Sequence, residues 1–155
     1  MSLCTICHSA ANLSSHLKPG GYIELHEVGV PFRCTESTTG STTPYFVQWS
    51  HYMIEAGTKM GYDYTALSKL DVMLQEAGFT NITIQWQNWP LTTWAKGSKN
   101  KEIGRLWGED LCEGVKNMSA LFTRVLGWQK DEFDVFAAKI AGEIRGKEKH
   151  LYTEM

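Results

Sequence analysis

Apolar residues recur three or four positions apart in several stretches of the chain, a spacing that places them on one face of a helix. The longest such stretch begins at Pro44, which suits the first helical position, and ends at Gly61. A shorter helix is predicted at 121–126, closed by Gly127. Three further stretches with the same spacing predict helices at about 65–77, 103–115 and 131–145.

Two other stretches have the composition that is typical of β-strands. Residues 21–28 follow a Pro-Gly-Gly turn, which cannot continue a helix, and they predict a buried central strand. Residues 81–88 alternate apolar and polar side chains, which predicts a strand nearer the sheet edge. The Ser/Thr-rich stretch 28–43 is predicted to be a loop. The last five residues, 151–155, are predicted to be too short for another strand, because strands average about 5–6 residues.

The composition fits a single domain over residues 1–155. Of its 155 residues 43% are apolar, which is enough to form a sizeable core. The net charge of −2 gives no electrostatic reason to expect direct nucleic-acid or membrane binding. Because no leader-like segment opens the sequence, we expect an intracellular protein, in the cytoplasm or the nucleus, with its cysteines as thiols.

The amino-terminal segment contains a short cysteine–histidine motif, Cys4-Thr-Ile-Cys7-His8. This spacing matches the haem-attachment pattern, and thiolate and imidazole also suit zinc. The haem interpretation lacks an export route, and the zinc interpretation lacks a second ligand pair. We therefore expect no metal here and interpret the two cysteines as ordinary, partly buried thiols.

Three blocks, taken in order, resemble one family. They are Leu17-Lys-Pro-Gly-Gly before the first predicted strand, Leu74-Gln-Glu-Ala-Gly-Phe-Thr-Asn-Ile82, and Leu121-Phe-Thr-Arg-Val-Leu-Gly-Trp128. Together they resemble class I S-adenosylmethionine-dependent methyltransferases, in particular the fungal LaeA-like branch associated with secondary metabolism. The resemblance covers roughly residues 13–150 and only the carboxyl-terminal half of that family's domain.

The resemblance implies an α/β fold with an incomplete Rossmann-like methyltransferase sheet, whose strands lie at about 21–28 and 81–88 among several packed helices. It also implies S-adenosylmethionine as the cofactor. The family holds this cofactor on a glycine-rich turn after its first strand, because glycine lets the backbone approach the ligand closely. No such turn is found in this sequence, so we expect weak or no cofactor binding by this chain alone, and no cofactor-binding or catalytic residue is assigned.

The remaining candidates for function are residues that could contact the methyl acceptor. Glu27 and His26 lie near the carboxyl end of the predicted central strand, where a carboxylate or imidazole could hydrogen-bond or deprotonate an acceptor. Trp49 could line an acceptor pocket. The competing interpretation is that Glu27 and His26 are solvated strand-end residues and that Trp49 belongs to the core, since an aromatic residue on an apolar helix face is usually buried.

Two functional hypotheses follow. In the first, the chain is the carboxyl-terminal portion of a methyltransferase whose acceptor is a small molecule or a protein side chain. In the second, it is a truncated non-catalytic paralogue or a clipped gene product that acts as an interaction module. The predicted central strand at 21–28 would be unpaired along one edge. We therefore also expect self-association or a partner protein that covers this exposed sheet edge.

Overall fold

In the computed structural model the protein is a mixed α/β structure, and the residues described are 16–36, 43–146 and 148–155. It contains three short strands, β1 (Gly29–Cys34), β2 (Asn88–Pro90) and β3 (Leu151–Glu154). The strands form one sheet in the order β1-β3-β2, and both pairings are antiparallel. The last strand in sequence is therefore the central strand of the sheet.

The described part of the chain also contains four α-helices. They are α1 (Tyr45–Met60), α2 (Leu70–Glu76), α3 (Ser98–Asn117) and α4 (Lys130–Arg145). A 3₁₀ turn at Ala66–Lys69 leads into α2, and a π-helical turn at Leu121–Leu126 precedes α4. These elements confirm the helices predicted from the apolar spacing. Three of them are followed by a glycine with positive φ, between 79° and 89°: Gly61, Gly78 and Gly127.

Aromatic side chains fill the core between the sheet and helices α1 and α4. Phe32 of β1 is 3% exposed and stacks on Phe46 of α1, with ring centroids 4.6 Å apart. Phe122 of the π-helical turn packs against Phe133 of α4 at 5.0 Å. Several aliphatic side chains complete this core: Leu91, Leu111, Val115, Ile140, Ile144 and Leu151.

Two buried polar contacts connect α1 to its neighbours. The hydroxyl of Ser50, which is fully buried, accepts a hydrogen bond of 2.9 Å from the backbone N–H of Phe32 in β1. The Glu143 carboxylate of α4 accepts one of 2.9 Å from the backbone N–H of Phe46. That N–H belongs to the first turn of α1 and has no partner within the helix, so a side chain from α4 satisfies it.

Helix α3 lies directly against the backbone that follows β2. A Cβ added to Gly104 would lie 2.0 Å from the carbonyl oxygen of Thr92, and one added to Gly108 would lie 2.2 Å from that of Leu91. No other residue type fits this contact without a backbone shift, so the two glycines allow α3 to approach the sheet closely.

The positions of the strands differ from those predicted. Residues 21–28 and most of 81–88 form no strand, while β1 lies within the stretch predicted to be a loop and β2 begins only at Asn88. Strand formation requires a paired backbone as well as a suitable composition, and β3 pairs only with 29–34 and 88–90. The described part of the chain therefore gives an α/β fold with a sheet smaller than the one predicted.

The prediction for the end of the chain was also wrong. Leu151–Glu154 does form a strand, although it has only four residues. Leu151 and Thr153 are buried while Tyr152 and Glu154 are half-exposed, which is the alternation of a strand with one face on the core. Its central place compensates for its length, because it forms backbone pairs on both sides.

Candidate functional site

A groove of about 940 Å³ lies at the end of the sheet where β3 stops. Residues 17–27 form one wall and residues 78–87 form the other. Leu67, Leu70 and Leu74, from the 3₁₀ turn and α2, add apolar surface, and Met155 lies at the end of β3. The groove therefore lies between the segments that lead into β1 and β2.

The two walls of the groove carry unpaired backbone. The last pairing of the sheet joins Gln87 and Met155, which exchange two hydrogen bonds of 2.8 Å. Beyond that pair, no backbone hydrogen bond joins 22–28 or 80–86 to any other described residue. Tyr22 is 92% exposed and Trp86 52% exposed, so large side chains on both walls also face solvent.

The groove contains two of the three predicted acceptor-site residues. His26 and Glu27 both line it, and both are exposed. His26 Nε2 lies 2.8 Å from Glu24 Oε1, with both side chains largely in solvent. Two carboxylates and an imidazole therefore lie on one wall, where they could hydrogen-bond a polar ligand or exchange protons with it. Their functional role stays a prediction.

Trp49 lies elsewhere. It is 2% exposed, its ring is 5.3 Å from that of Phe32, and it is not among the groove residues. Its indole Nε1 is buried without a hydrogen-bond partner in the described structure. The structure thus places Trp49 in the core, apart from His26 and Glu27, and its predicted part in acceptor binding stays untested.

Sequence reasoning missed the apolar side of the groove. The apolar spacing of Leu67, Leu70 and Leu74 predicts the buried face of a helix, but these leucines also border the groove. Trp86 and Trp89 line the opposite wall. The sequence shows only the alternation of polar and apolar residues at 83–88, and the structure is needed to show that these residues are exposed.

The described glycines do not form the cofactor cradle that the family resemblance implies. In the Gly20–Gly21 turn, the N–H of Gly21 donates to the carbonyl of Lys18 at 2.9 Å, so it is not available to a ligand. A Cβ on Gly20 would meet nothing within 4 Å, so no close approach requires a glycine there. These residues therefore do not fit an S-adenosylmethionine cradle.

The described residues also contain no group of three or more His, Cys, Asp or Glu side chains that could hold a metal ion. The motif formed by Cys4, Cys7 and His8 lies outside the described residues. Within the described part of the chain, no helix combines the length and apolarity needed to cross a membrane.

A polar cluster joins β1 and β3 at the end of the sheet opposite the groove. Glu36 accepts hydrogen bonds from the Cys34 thiol at 2.8 Å and from the backbone N–H of His150 at 3.0 Å, and it contacts the His150 ring at 2.6 Å. The Cys34 bond is the main cause that lowers the pKa of Glu36 to about 2, with a smaller contribution from His150. Burial raises the pKa of the Cys34 thiol, and its hydrogen bond to Glu36 raises it further.

Known proteins with similar sequences are fungal. The chain is 31% identical over 140 residues to the probable methyltransferase tdiE of Emericella nidulans, covering 89% of this chain and 44% of the relative. It is 33% identical over 137 residues to methyltransferase pytC of Aspergillus terreus, covering 88% and 42%. It is 30% identical over 141 residues to the secondary metabolism regulator laeA of Aspergillus fumigatus, covering 90% and 37%.

The chain belongs to the LaeA-like family of fungal methyltransferases and corresponds to the carboxyl-terminal part of its relatives. It spans less than half the length of the curated relatives it matches. No family profile matches the chain. No solved structure matches it either.

Proposed function

We propose that this chain is the carboxyl-terminal, acceptor-side portion of an S-adenosylmethionine-dependent methyltransferase of fungal secondary metabolism. The observation that supports the proposal most is the identity of 30–33% with the three named relatives over 88–90% of this chain. The acceptor would be a small molecule or a protein side chain.

The proposed role of the chain is to position the acceptor. Methyl transfer from a sulfonium is an in-line displacement, so holding the two reactants in line supplies most of the acceleration. Glu27 would accept a proton or a hydrogen bond from the acceptor, and His26 would assist from the neighbouring position. Both residues line the groove and are open to solvent, which supports their access to a ligand.

The cofactor would be held by sequence that corresponds to the other part of the relatives. The described residues offer neither a glycine cradle nor an assigned carboxylate for the ribose. We therefore expect a dissociation constant of about 1 mM or weaker for S-adenosylmethionine and this chain alone, because each lost ~1.4 kcal/mol of contact costs tenfold in affinity. Isothermal titration measures it, and a value of about ten micromolar or tighter would contradict the expectation.

A chimera tests the proposed function itself. The matching carboxyl-terminal part of Aspergillus terreus pytC is replaced by this chain, and the chimera is expressed in a strain from which pytC is deleted. We expect the chimera to bind S-adenosylmethionine in titration and to transfer its isotope-labelled methyl group to an acceptor in the cell extract, detected by mass spectrometry. A folded chimera that binds the cofactor and transfers no methyl group would argue against the proposal.

The role of Glu27 is tested within the same chimera. Glu27→Gln removes the base and keeps the shape, so transfer should fall about 100-fold if the carboxylate takes a proton in the transition state. Glu76→Gln is the control, because it removes an exposed carboxylate that does not line the groove, and it should change the rate less than threefold. Equal rates for the two variants would remove Glu27 from the mechanism.

A non-catalytic role is the second candidate, in which the chain acts as an interaction module. The observation that favours it is the unpaired backbone of the two groove walls.

A further inference from the structure

At the end of the sheet opposite the groove, the side chain of His150 lies where three segments meet. His150 directly precedes β3, and its Nδ1 lies 2.6 Å from Oε1 of Glu36, which follows β1. Its ring centroid lies 4.9 Å from that of Trp94, in the connector between β2 and α3. The Trp94 indole in turn donates to the carbonyl of Leu151 at 3.1 Å. One imidazole therefore contacts both segments that flank the start of the central strand.

The backbone at this junction is held by the same residues. The N–H of Thr35 donates to the carbonyl of His150 at 3.1 Å, and the N–H of His150 donates to the Glu36 carboxylate at 3.0 Å. Cys34 lies opposite Leu151 in the sheet, so these two bonds extend the pairing of β1 and β3 past its last residue pair. Whether the end of the sheet stays closed thus depends on how firmly Glu36 and His150 are joined.

Glu36 presents a carboxylate to the imidazole. The hydrogen bond from Cys34 is the main cause that lowers the pKa of Glu36 to about 2, so above pH 4.5 the side chain is ionised and can only accept hydrogen bonds. The contact at 2.6 Å therefore needs a hydrogen on Nδ1 of His150. An imidazolium ion carries N–H groups on both ring nitrogens, whereas a neutral imidazole carries one. Protonation of His150 secures this donor and places a positive charge against the carboxylate.

Trp94 favours the same protonation state. A cation within about 6 Å of an indole ring is attracted to the ring face. The imidazole of His150 meets this distance, with the two rings tilted by 49°. A neutral imidazole keeps the packing contact and loses the electrostatic attraction. Glu36 and Trp94 therefore both hold His150 more firmly when it is charged.

The neighbouring ionisable groups oppose this effect only weakly. Lys149 is the cation next in sequence, and its ammonium group is paired with the Glu143 carboxylate of α4. Cys34 contributes no charge near neutral pH, because burial raises the pKa of its thiol. Glu148, two residues before His150, is exposed and carries the sign that favours an imidazolium.

We propose that Glu36, His150 and Trp94 form a pH-sensitive clamp, which closes this end of the sheet when His150 is protonated and loosens it when the imidazole is neutral. Imidazole is the side chain that ordinarily changes charge between pH 5 and 8. The clamp is therefore closed at pH 5.5 and opens as the pH rises toward 8.5. At the acid end it opens again only as the pH falls from 4.5 toward 2, where Glu36 is protonated.

The first experiment follows the fluorescence of Trp94 in the full chain. A protonated imidazole in contact with an indole quenches its emission, and the contribution of Trp94 is obtained as the difference between the parent and Trp94→Phe. We expect this contribution to fall about twofold from pH 8.5 to pH 5.5, and to stay nearly constant in His150→Gln. His51→Gln is the matched control, because it removes an exposed histidine from α1, and it should behave as the parent does. The same pH response in His150→Gln and the parent would overturn the proposal.

A double-mutant cycle tests the contact with Glu36. Urea denaturation of the parent, Glu36→Gln, His150→Gln and the double variant gives the coupling of the two side chains. The side chains of His150 and Glu36 are 46% and 42% exposed, so we expect a coupling of about fivefold in the unfolding equilibrium constant at pH 5.5 and less than about twofold at pH 8.5. Equal coupling at the two pH values would show a contact that does not depend on protonation.

A third measurement needs no variant. Hydrogen exchange followed by nuclear magnetic resonance gives the protection factor of the Thr35 amide, which corrects for the intrinsic effect of pH on exchange. This factor should be about fivefold higher at pH 5.5 than at pH 8.5, because the clamp closes over the bond from Thr35 to His150. The amide of Ala77, which bonds to Met73 at the end of α2, is the control and should keep its protection factor. A Thr35 factor that is the same at both pH values would contradict the clamp.

Discussion

The two segments that flank β3 each have a closed half and an open half. In the closed half, residues 29–34 and 88–90, β3 lies between them and their buried side chains enter the aromatic core. In the open half, residues 21–28 and 79–87, no strand of the described part of the chain lies between them, and residues 83–87 are all exposed. The comparison shows that the composition of a segment does not decide whether it becomes a strand. The presence of a paired backbone decides it.

Removing one aromatic side chain from each half should give the largest contrast. Phe32→Ala in the closed half should lower the free energy of unfolding by about 3–5 kcal/mol, because Phe32 is 3% exposed and its loss leaves a cavity. Tyr22→Ala in the open half should change it by less than about 0.5 kcal/mol, since Tyr22 is 92% exposed. Urea denaturation measures both, and similar losses would show that the halves do not differ.

Helix α3 offers a second way to break the closed half. Gly108→Ala should cost about 3 kcal/mol, because the added methyl would lie 2.2 Å from the Leu91 carbonyl oxygen and a backbone must move. Gly114→Ala on the same helix is the control, since its Cβ would meet nothing within 4 Å. It should stabilise the protein by about 0.5–1 kcal/mol in thermal denaturation. If Gly108→Ala leaves the free energy of unfolding unchanged, α3 is free to shift away from this backbone.

The hydrogen bond between Ser50 and β1 tests the polar contribution to the closed half. Ser50→Ala should cost about 2 kcal/mol, because the backbone N–H of Phe32 would remain buried without an acceptor. The exposed hydroxyl of Ser68 bonds only to the carbonyl of Thr65, so Ser68→Ala should stay within about 0.5 kcal/mol. Chemical denaturation of the two variants measures the difference, and equal values would show that water replaces the lost acceptor.

The cluster around Glu36 gives the smallest predicted effect, and it depends on pH. The pKa of Glu36 is lowered from 4.5 to about 2, so its stabilisation is fully present above pH 4.5 and is lost as the pH falls toward 2. Because the side chain is 42% exposed, solvent reduces this contribution to about 1 kcal/mol. Glu36→Gln should therefore be less stable than the parent at pH 6 and nearly equal to it near pH 2.5. A difference that stays constant with pH would contradict the assignment.

The helices could be predicted from the sequence because their signals are local. Apolar spacing and terminal glycines are read within one segment, and a helix forms its backbone hydrogen bonds inside that segment. Gly78 illustrates this. Its N–H bonds to Gln75, and the following Phe79 donates to Leu74, as the sequence Ala-Gly-Phe predicts for a helix end.

The strands could not be located in this way, because their hydrogen bonds come from distant residues. Proline disfavours a strand because it lacks a backbone N–H, yet Pro31 and Pro90 both lie within one. Pro90 lies opposite Tyr152, at a position where the backbone nitrogen points away from β3. Pairing with β3 therefore does not need the N–H that proline lacks. Pro31 lies where the register between β1 and β3 shifts. The tertiary pairing overrode the local signal at each site.

The functional roles of His26, Glu27 and Trp49 stay predictions, because nothing in the described structure tests them. The position of His26 and Glu27 beside an exposed groove follows from their place near the end of an apolar segment. The sequence does not predict that Trp49 lies apart from them. Helical spacing shows which face of a helix is buried, but it does not show which residues cover that face.

The position of β3 in the sheet also has a kinetic consequence. The bond between His150 and Glu36 joins residues 114 positions apart, and β3 supplies one partner to both neighbouring strands. The sheet therefore cannot assemble until the two ends of the described fold meet, and folding slows as contacts become more distant in sequence. The helices, whose contacts are local, are expected to form first. In stopped-flow refolding, far-ultraviolet circular dichroism should recover before the fluorescence of Trp94, whose indole donates to the carbonyl of Leu151 at 3.1 Å.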